Sequence, residues 1–146
     1  MSLIGKGFDH LDIPTLWVDL DLLDKNIVTL AAYFCQAQVG WRPHTKGIKI
    51  PAIAHQLIAS GALGITCAKL SEAEIMAAAG IQDILVANQV VDEIKISRLV
   101  NLRHHANVMV AVDHLENARQ ISRAALNTGV KVRRSRRTCT CIKCRR

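Results

Sequence analysis

The sequence predicts an α/β fold built on a parallel sheet, as part of a (β/α) barrel. Short apolar stretches alternate with helical ones, and their centres recur about every 20 to 24 residues, the spacing of a βα unit. Half of the 146 residues are hydrophobic, enough to bury a core. The alternation alone is compatible with a doubly wound sheet as well as with a barrel. No Gly-x-Gly-x-x-Gly follows the first strand, which disfavours a dinucleotide-binding sheet.

Six strands are predicted, each an apolar stretch bounded by turn residues, and the last of them incomplete. They cover residues 15–20, 39–45, 63–67, 83–87, 107–112 and 130–132. A closed (β/α) barrel needs eight strands and roughly 250 residues. The chain therefore supplies only the front part of a barrel.

Five helices are predicted over residues 23–38, 51–60, 73–79, 92–103 and 113–128. Asp92 can cap the fourth of them because its carboxylate can accept a hydrogen bond from a free backbone N–H. Two capping boxes are predicted as well. Ser71 and Glu74 would open the third helix, and Asp113 and Glu116 would open the fifth.

Basic residues are concentrated at the end of the chain. The net charge is +7, but all twelve acidic residues precede residue 130. The basic stretch has no interleaved aromatic residues, which predicts at most nonspecific contact with nucleic acid phosphates. No apolar run reaches the roughly 18 residues of a membrane span, and the N-terminus has no signal-peptide core. We therefore expect a cytoplasmic protein with neither a membrane nor a specific nucleic-acid partner.

The alternating pattern breaks after residue 132. Residues 133–146 are rich in Arg, Ser and Cys and show neither a buried strand nor a helical face. The sequence thus divides into a barrel segment, residues 1–132, and a basic tail, residues 133–146, which we attribute to a shifted reading frame or a truncated gene. Cys139, Cys141 and Cys144 have a metal-like spacing, but three thiols without a partner pair predict no metal site.

The run Arg42-Pro43-His44-Thr45-Lys46 is the segment most informative about chemistry. It ends the second predicted strand, and the carboxyl ends of parallel strands hold active sites. A lysine there can form a Schiff base with an aldehyde, of which pyridoxal phosphate is the commonest. From the spacing alone, an ordinary surface lysine is the alternative.

Four more residues are candidates for cofactor binding. His44 lies two residues before Lys46, on the same side of an extended strand, and could touch the cofactor or bond the backbone instead. Arg42 shares this alternation and could meet acids at the barrel mouth, or make a packing or salt-bridge contact. Asn88 and Gln89 follow a strand end and could face the pocket or cap the next helix.

Five segments occur in the order and spacing of one enzyme family. They are DIPTLWVDLD at 12–21, RPHTK at 42–46, GITCAKLSEAE at 64–74, AGIQDILVANQVV at 79–91 and VAVD at 110–113. These segments resemble the D-threonine aldolase and D-serine dehydratase family, which has the alanine racemase-like fold of pyridoxal phosphate enzymes. The resemblance covers about residues 10 to 132.

The resemblance implies a barrel of the alanine racemase N-terminal type, followed by a β-domain that pairs with residues 15–20. The C-terminal half of the barrel and the β-domain are missing from this chain. In the family the lysine of the Arg-Pro-His-x-Lys segment carries pyridoxal 5′-phosphate, which implies that role for Lys46. The family's phosphate loops and divalent-metal ligands lie in the missing regions, so no metal ligand is expected here.

The implied activity is a lyase reaction on β-hydroxy D-amino acids, with carbon–carbon cleavage to glycine and an aldehyde. The intact family implies a homodimer. Ala68 stands where some members carry Gln, which leaves the substrate class open. D-serine dehydratase or racemase activity uses the same cofactor and is an alternative. A non-catalytic truncated fragment and a basic-tailed binding protein are the others.

Overall fold

Four parallel strands form the centre of the structure. The computed structural model describes residues 4–136. The strands are β1 (Ile65–Cys67), β2 (Asp83–Val86), β3 (Asn107–Val112) and β4 (Arg133–Arg136). They are hydrogen-bonded in sequence order, and each neighbouring pair is parallel. The predicted α/β fold with a parallel sheet is confirmed.

Five helices precede and connect these strands. They are α1 (Leu20–Gln36), α2 (Pro51–Ala59), α3 (Leu70–Ala78), α4 (Glu93–Leu102) and α5 (Leu115–Asn127). Helices α3, α4 and α5 follow β1, β2 and β3, and α4 contacts both of the others. Within residues 4–136, no helix is long and apolar enough to cross a bilayer.

An aliphatic core joins one face of the sheet to the helices. Alternate strand residues and helix residues are fully buried in it; they are Ile65, Ile84, Val86, Val108, Val110, Met76, Ile81 and Leu99. Burial of each such side chain contributes about 1.5–3 kcal/mol to folding. Leu85 and Met109, which alternate with buried neighbours, are only half-buried on the other face. In a barrel that second face is the interior.

Aspartates cap two of the helices. The Asp92 carboxylate accepts hydrogen bonds from the N–H groups of Ile94 at 2.9 Å and Lys95 at 3.3 Å, so its predicted capping role is confirmed. The Asp19 carboxylate accepts one from the N–H of Leu22 at 3.0 Å. Because of this cap, α1 begins three residues before the predicted helix.

Both predicted capping boxes were wrong. Helix α3 begins at Leu70, earlier than predicted, so Glu72 occupies the position whose carboxylate reaches back to the cap. Helix α5 begins at Leu115, and its cap is His114, whose Nδ1 accepts a hydrogen bond from the N–H of Glu116 at 3.3 Å. Asp113 lies one residue outside this cap and is free for another contact.

The first two predicted strands form no regular ladder within residues 4–136. Residues 15–19 are not in a strand, because strand structure requires a paired neighbour and the expected one is a β-domain. Residues 41–44 do lie along β1. The N–H groups of Leu63 and Thr66 donate to the carbonyls of Trp41 at 3.0 Å and Pro43 at 2.8 Å. Because Pro43 has no N–H to donate, the pairing is reduced to one bridge, between His44 and Thr66.

The sheet continues past the predicted boundary at residue 132. Strand β4 pairs along β3 from Met109 opposite Arg133 to Val112 opposite Arg136. Ladder hydrogen bonds join backbone groups, so an arginine-rich segment can pair even though its sequence has no apolar alternation. The remaining tail residues, including Cys139, Cys141 and Cys144, lie outside the described residues.

A polar cluster at the amino edge of the sheet links Arg42 to the first residues of β2, β3 and β4. The guanidinium of Arg42, 15% exposed, lies 2.7 Å from a carboxylate oxygen of Asp83, the first residue of β2. The side chains of Asn107 at 3.3 Å and Arg133 at 3.7 Å approach the other oxygen. Gly64, with φ +147°, makes room for the pair, since a Cβ there would overlap Arg42 and the carbonyl of Asp83.

Replacement of Asp83 by Asn should lower the free energy of unfolding by about 1–2 kcal/mol, because it leaves a largely buried guanidinium without its carboxylate. Glu116→Gln is the matched control, since Glu116 pairs with the exposed Arg119 and Arg123, and a change under about 0.5 kcal/mol is expected. Urea unfolding followed by circular dichroism measures both. Equal effects would contradict a structural role for the Arg42–Asp83 pair.

Gly64→Ala should destabilise the fold by more than about 3 kcal/mol, because it combines an unfavourable φ with overlap against β2. Gly80→Ala provides the control. Gly80 also has a positive φ, +89°, but a Cβ there would meet nothing within 4 Å. Its expected cost is only the conformational one, about 1–2 kcal/mol. Thermal and urea unfolding of the two variants should separate them clearly, and similar losses would refute the steric explanation.

Candidate functional site at the carboxyl edge of the sheet

The carboxyl ends of the strands meet at one edge of the sheet. The register aligns His44 with Thr66, Cys67 with Val86, and Val86 with Val110. Residues that follow these positions therefore share one edge: the turn Thr45–Gly47, the loop after β1, residues 87–89 after β2, and residue 113 after β3. Polar side chains at this edge can act on one ligand.

Lys46 lies in a single 3-10 turn, Thr45–Gly47, and its side chain is exposed. The turn is fixed to β1 by Thr45, which is buried and whose hydroxyl donates a hydrogen bond to the carbonyl of Thr66 at 3.1 Å. The Thr45 carbonyl also accepts the N–H groups of Ile48 at 3.1 Å and Lys49 at 2.8 Å. The chain thus presents an accessible amine on a backbone that is held in place.

His44 supports the same turn. Its Nδ1 accepts a hydrogen bond from the backbone N–H of Lys46 at 3.1 Å. Partial burial, with the positive charge of Lys46, lowers the pKa of His44 below its usual value, although Glu72 opposes this shift. The ring is therefore neutral at neutral pH. Because Nδ1 accepts, Nε2 carries the proton and is available as a donor.

The fold does not place the Arg42 side chain beside Lys46. The expectation was that it meets acids at the barrel mouth, but its acid is Asp83, at the amino edge of the sheet. Its guanidinium also donates to the Asp83 carbonyl at 3.2 Å. Since these contacts lie at the starts of β1 and β2, the salt-bridge alternative describes its position.

Asn88 and Gln89 lie at the carboxyl edge, as their place after β2 predicts. The side-chain oxygen of Asn88 accepts the N–H of Gln89 at 2.9 Å. The side-chain amide of Gln89 donates to the carboxylate of Asp113 at 2.5 Å. Neither residue caps α4, because Asp92 does so. The hydrogen bond between Gln89 and Asp113 joins the ends of β2 and β3.

The sequence places Asp113 after a strand end, but a predicted helix cap accounted for its carboxylate, so it was not predicted as a site residue. The structure places it at the carboxyl edge, bonded to Gln89. Asn88 and Gln89 also line a hollow of about 280 Å³ that extends to Lys69 and Ser71. Larger hollows, of about 540 and about 530 Å³, lie between α5 and β3 and between α4 and α5, and Lys46 lines neither.

Glu72 was also missed, although it contacts both segments that flank the site. One carboxylate oxygen accepts the N–H groups of Ala68 at 2.9 Å and Lys69 at 3.3 Å, and the other lies 3.5 Å from the ammonium of Lys49. Burial alone would raise the pKa of Glu72, but these hydrogen bonds and the Lys49 charge outweigh it and hold the pKa below its usual value. Glu72 is therefore charged at neutral pH.

Cys67, which ends β1, is buried beneath this turn. Its sulfur lies 3.6 Å from the hydroxyl of Thr45. Burial raises the pKa of the Cys67 thiol, although the Thr45 contact opposes this shift. A protonated thiol packs here as a small apolar group. In the part of the chain that the structure describes, no group of three or more His, Cys, Asp or Glu residues is arranged to hold a metal ion.

Comparisons with known proteins find relatives of this chain that are named as aldolases or dehydratases of D-amino acids; the first two are aldolases. D-threonine aldolase of Arthrobacter sp is 38% identical over 128 residues, which are 88% of this chain and 34% of that protein. 3-Hydroxy-D-aspartate aldolase of Paracoccus denitrificans is 34% identical over 135 residues, 90% of this chain and 34% of that protein. The chain thus spans about a third of the length of these relatives.

Solved structures match as well. D-threonine aldolase from Filomicrobium marinum superposes with a TM-score of 0.83 at 39% identity, over 86% of this chain and 34% of that one. D-threo-3-hydroxyaspartate dehydratase from Delftia sp. HT23 superposes with a TM-score of 0.79 at 30% identity, over 87% of this chain and 34% of that one. The family model for the alanine racemase N-terminal domain matches residues 18–134. The chain therefore belongs to the alanine racemase N-terminal domain family.

Proposed function

We propose that this chain is the front part of a pyridoxal 5′-phosphate-dependent lyase that cleaves β-hydroxy D-amino acids, as a D-threonine aldolase does. The observation that carries the proposal is the position of Lys46, an exposed amine on an anchored turn at the carboxyl edge of a parallel sheet. The identity with D-threonine aldolase supports the substrate class. The substrate is a small D-amino acid with a β-hydroxyl group, and the products are glycine and an aldehyde.

The residues at this edge fit the aldehyde end of the cofactor. The amine of Lys46 is accessible, and the neighbouring His44 is neutral, so it adds no second positive charge beside the amine. When bound, pyridoxal phosphate supplies an electron sink for cleavage next to the amino group of the substrate. Lys46 would hold the cofactor and exchange a proton at its Nζ.

The other edge residues would bind and orient. The Nε2–H of His44 can donate to a ring oxygen or carboxylate of a ligand. Asn88, and Gln89 joined to Asp113, offer amide and carboxylate groups at the neighbouring strand ends. Arg42 acts at a distance, by fixing β2 against the segment that leads to Lys46. In this proposal the cofactor phosphate and a divalent metal are bound by parts of the longer protein, which works as a cytoplasmic homodimer.

A dehydratase is the second candidate. The likeness to D-threo-3-hydroxyaspartate dehydratase, 42% identical over 77 residues, favours it. Loss of water and loss of an aldehyde both begin with the substrate held by the same cofactor, so Lys46 and His44 would keep their roles. A racemase of the same cofactor type, or a fragment without activity, are the remaining alternatives.

Lys46→Ala tests the proposed role of the lysine. Wild-type chain mixed with pyridoxal 5′-phosphate should develop an absorbance band near the blue edge of the visible spectrum, and borohydride should fix the label on Lys46, as peptide mass mapping can determine. Lys46→Ala should lose at least about nine-tenths of the band. Lys95→Ala, another exposed lysine, is the control and should retain it.

An unchanged band in Lys46→Ala would remove Lys46 from this role. A wild-type chain without any band would favour the non-catalytic fragment. Product analysis with D-threonine, for glycine and acetaldehyde or for ammonia release, separates the aldolase from the dehydratase in a chain that carries the cofactor.

A further inference from the structure

Two lysines, Lys46 and Lys49, lie three residues apart at the same edge, and both carry amines that an aldehyde could reach. The proposed function requires only one of them to react. The structure distinguishes the two by their partners. Lys49 is in an ion pair with Glu72, at 3.5 Å, whereas Lys46 makes its described contact through its backbone N–H, to His44.

We propose that Glu72 is a positioning and selecting residue: its carboxylate holds Lys49 in an ion pair and directs the cofactor aldehyde to Lys46. This inference rests on the proposed function, because it assumes that an aldehyde binds at this edge. The atom that attacks an aldehyde carbon is a nitrogen with a free lone pair. To react, either lysine must lose its proton, and Lys49 must in addition give up its contact with Glu72.

Glu72 is well placed for this role because its other contacts fix it. It is 13% exposed, and the backbone N–H groups of Ala68 and Lys69 point at its second oxygen. Its carboxylate cannot follow Lys49 outward without breaking these bonds. The Lys49 backbone is equally constrained, with φ +57° and its N–H bonded to the carbonyl of Thr45. The ion pair thus joins the segment just after the Lys46 turn to the start of α3.

The negative charge of Glu72 supports the selection of Lys46 over Lys49. The hydrogen bonds hold the pKa of Glu72 below its usual value, so the carboxylate remains charged throughout the pH range in which lysine labelling is measured. The same charge acts on His44, whose pKa it raises against the stronger effects of burial and Lys46. Glu72 is therefore within electrostatic reach of both sides of the turn.

The labelling reaction that measures this selection is a condensation of a lysine amine with an aldehyde. The lone pair of a lysine Nζ attacks the aldehyde carbon of pyridoxal 5′-phosphate, a carbon–nitrogen double bond forms, and the carbonyl oxygen leaves as water. Cyanoborohydride then delivers hydride to that carbon, while the nitrogen gains a proton from solvent. The product is a stable secondary amine whose position peptide mass mapping identifies.

Glu72→Gln is the decisive variant. Gln keeps an oxygen that can accept from the loop N–H groups but removes the charge from beside Lys49. The ratio of label on Lys46 to label on Lys49 should fall about threefold, the size expected for an ion pair with one largely exposed partner. Glu74→Gln is the matched control, because it makes the same change on the same helix but breaks a pair with Arg98 instead. It should leave the ratio unchanged.

Two further measurements separate selection from a fault in folding. In the wild-type chain, salt raised to about 1 M screens the exposed ion pair and should lower the ratio without any substitution. In Lys49→Arg, the ion pair is kept but the competing amine is lost, so the amount of label on Lys46 should stay at the wild-type level. A general loss of structure would not reproduce either result.

The outcomes distinguish the two proposals. If the wild-type chain takes no label on Lys46, the proposed function fails, and the selection by Glu72 fails with it. If Lys46 is labelled but the ratio is the same in Glu72→Gln, in Glu74→Gln and at high salt, the proposed function stands and the role of Glu72 is refuted.

Discussion

The position of Lys46 depends on a short parallel contact between residues 41–44 and β1. Two backbone hydrogen bonds and one bridge form this contact, and Pro43 prevents it from becoming a longer ladder. The side chain of Thr45 then extends the contact by one more hydrogen bond, to the carbonyl of Thr66. Since these attachments end on Thr66 in β1 and on Leu63 just before it, the accessible amine is only as well placed as this strand, and β1 is itself held by β2 and the aliphatic core.

The two edges of the sheet differ in the contacts that their polar side chains make. At the amino edge, Arg42 and Asp83 make a largely buried ion pair whose contacts are with backbone and neighbouring strands, so it leaves no free group for a ligand. At the carboxyl edge, His44 and Asn88 are exposed and bond nearby backbone N–H groups, and the half-buried Gln89 bonds Asp113. This separation of stability from chemistry is general for parallel α/β barrels. It explains why two residues as close in sequence as Arg42 and Lys46 lie in different environments.

Much of the fold could be predicted from the sequence because its strongest elements depend on local patterns. Strands β2 and β3 are apolar runs between turn signals, and Asp92 marks the start of α4 by its capping carboxylate. Residues 15–20 and 130–136 were harder to predict, because a segment of this kind forms a strand only where another strand pairs with it. The position of Lys46 at the carboxyl edge was predicted from its motif and from the strand end that precedes it. Glu72 and Asp113 were missed, since a shift of one or two residues at a helix start changes which acid caps and which is left for another role.

The turn that carries Lys46 is held by segments that lie close to it in sequence. Each βα unit buries its own aliphatic face, so the order of strands from residues 41–44 to β4 is fixed by neighbours close in sequence. The anchoring of Lys46 depends only on the contact between residues 41–44 and β1. Thr45 and His44 hold the turn itself and Glu72 holds Lys49 just after it, and these three residues lie within 30 positions of one another. It follows that loss of β4 should reduce stability but leave the geometry of the Lys46 turn, and the choice between Lys46 and Lys49, unaffected.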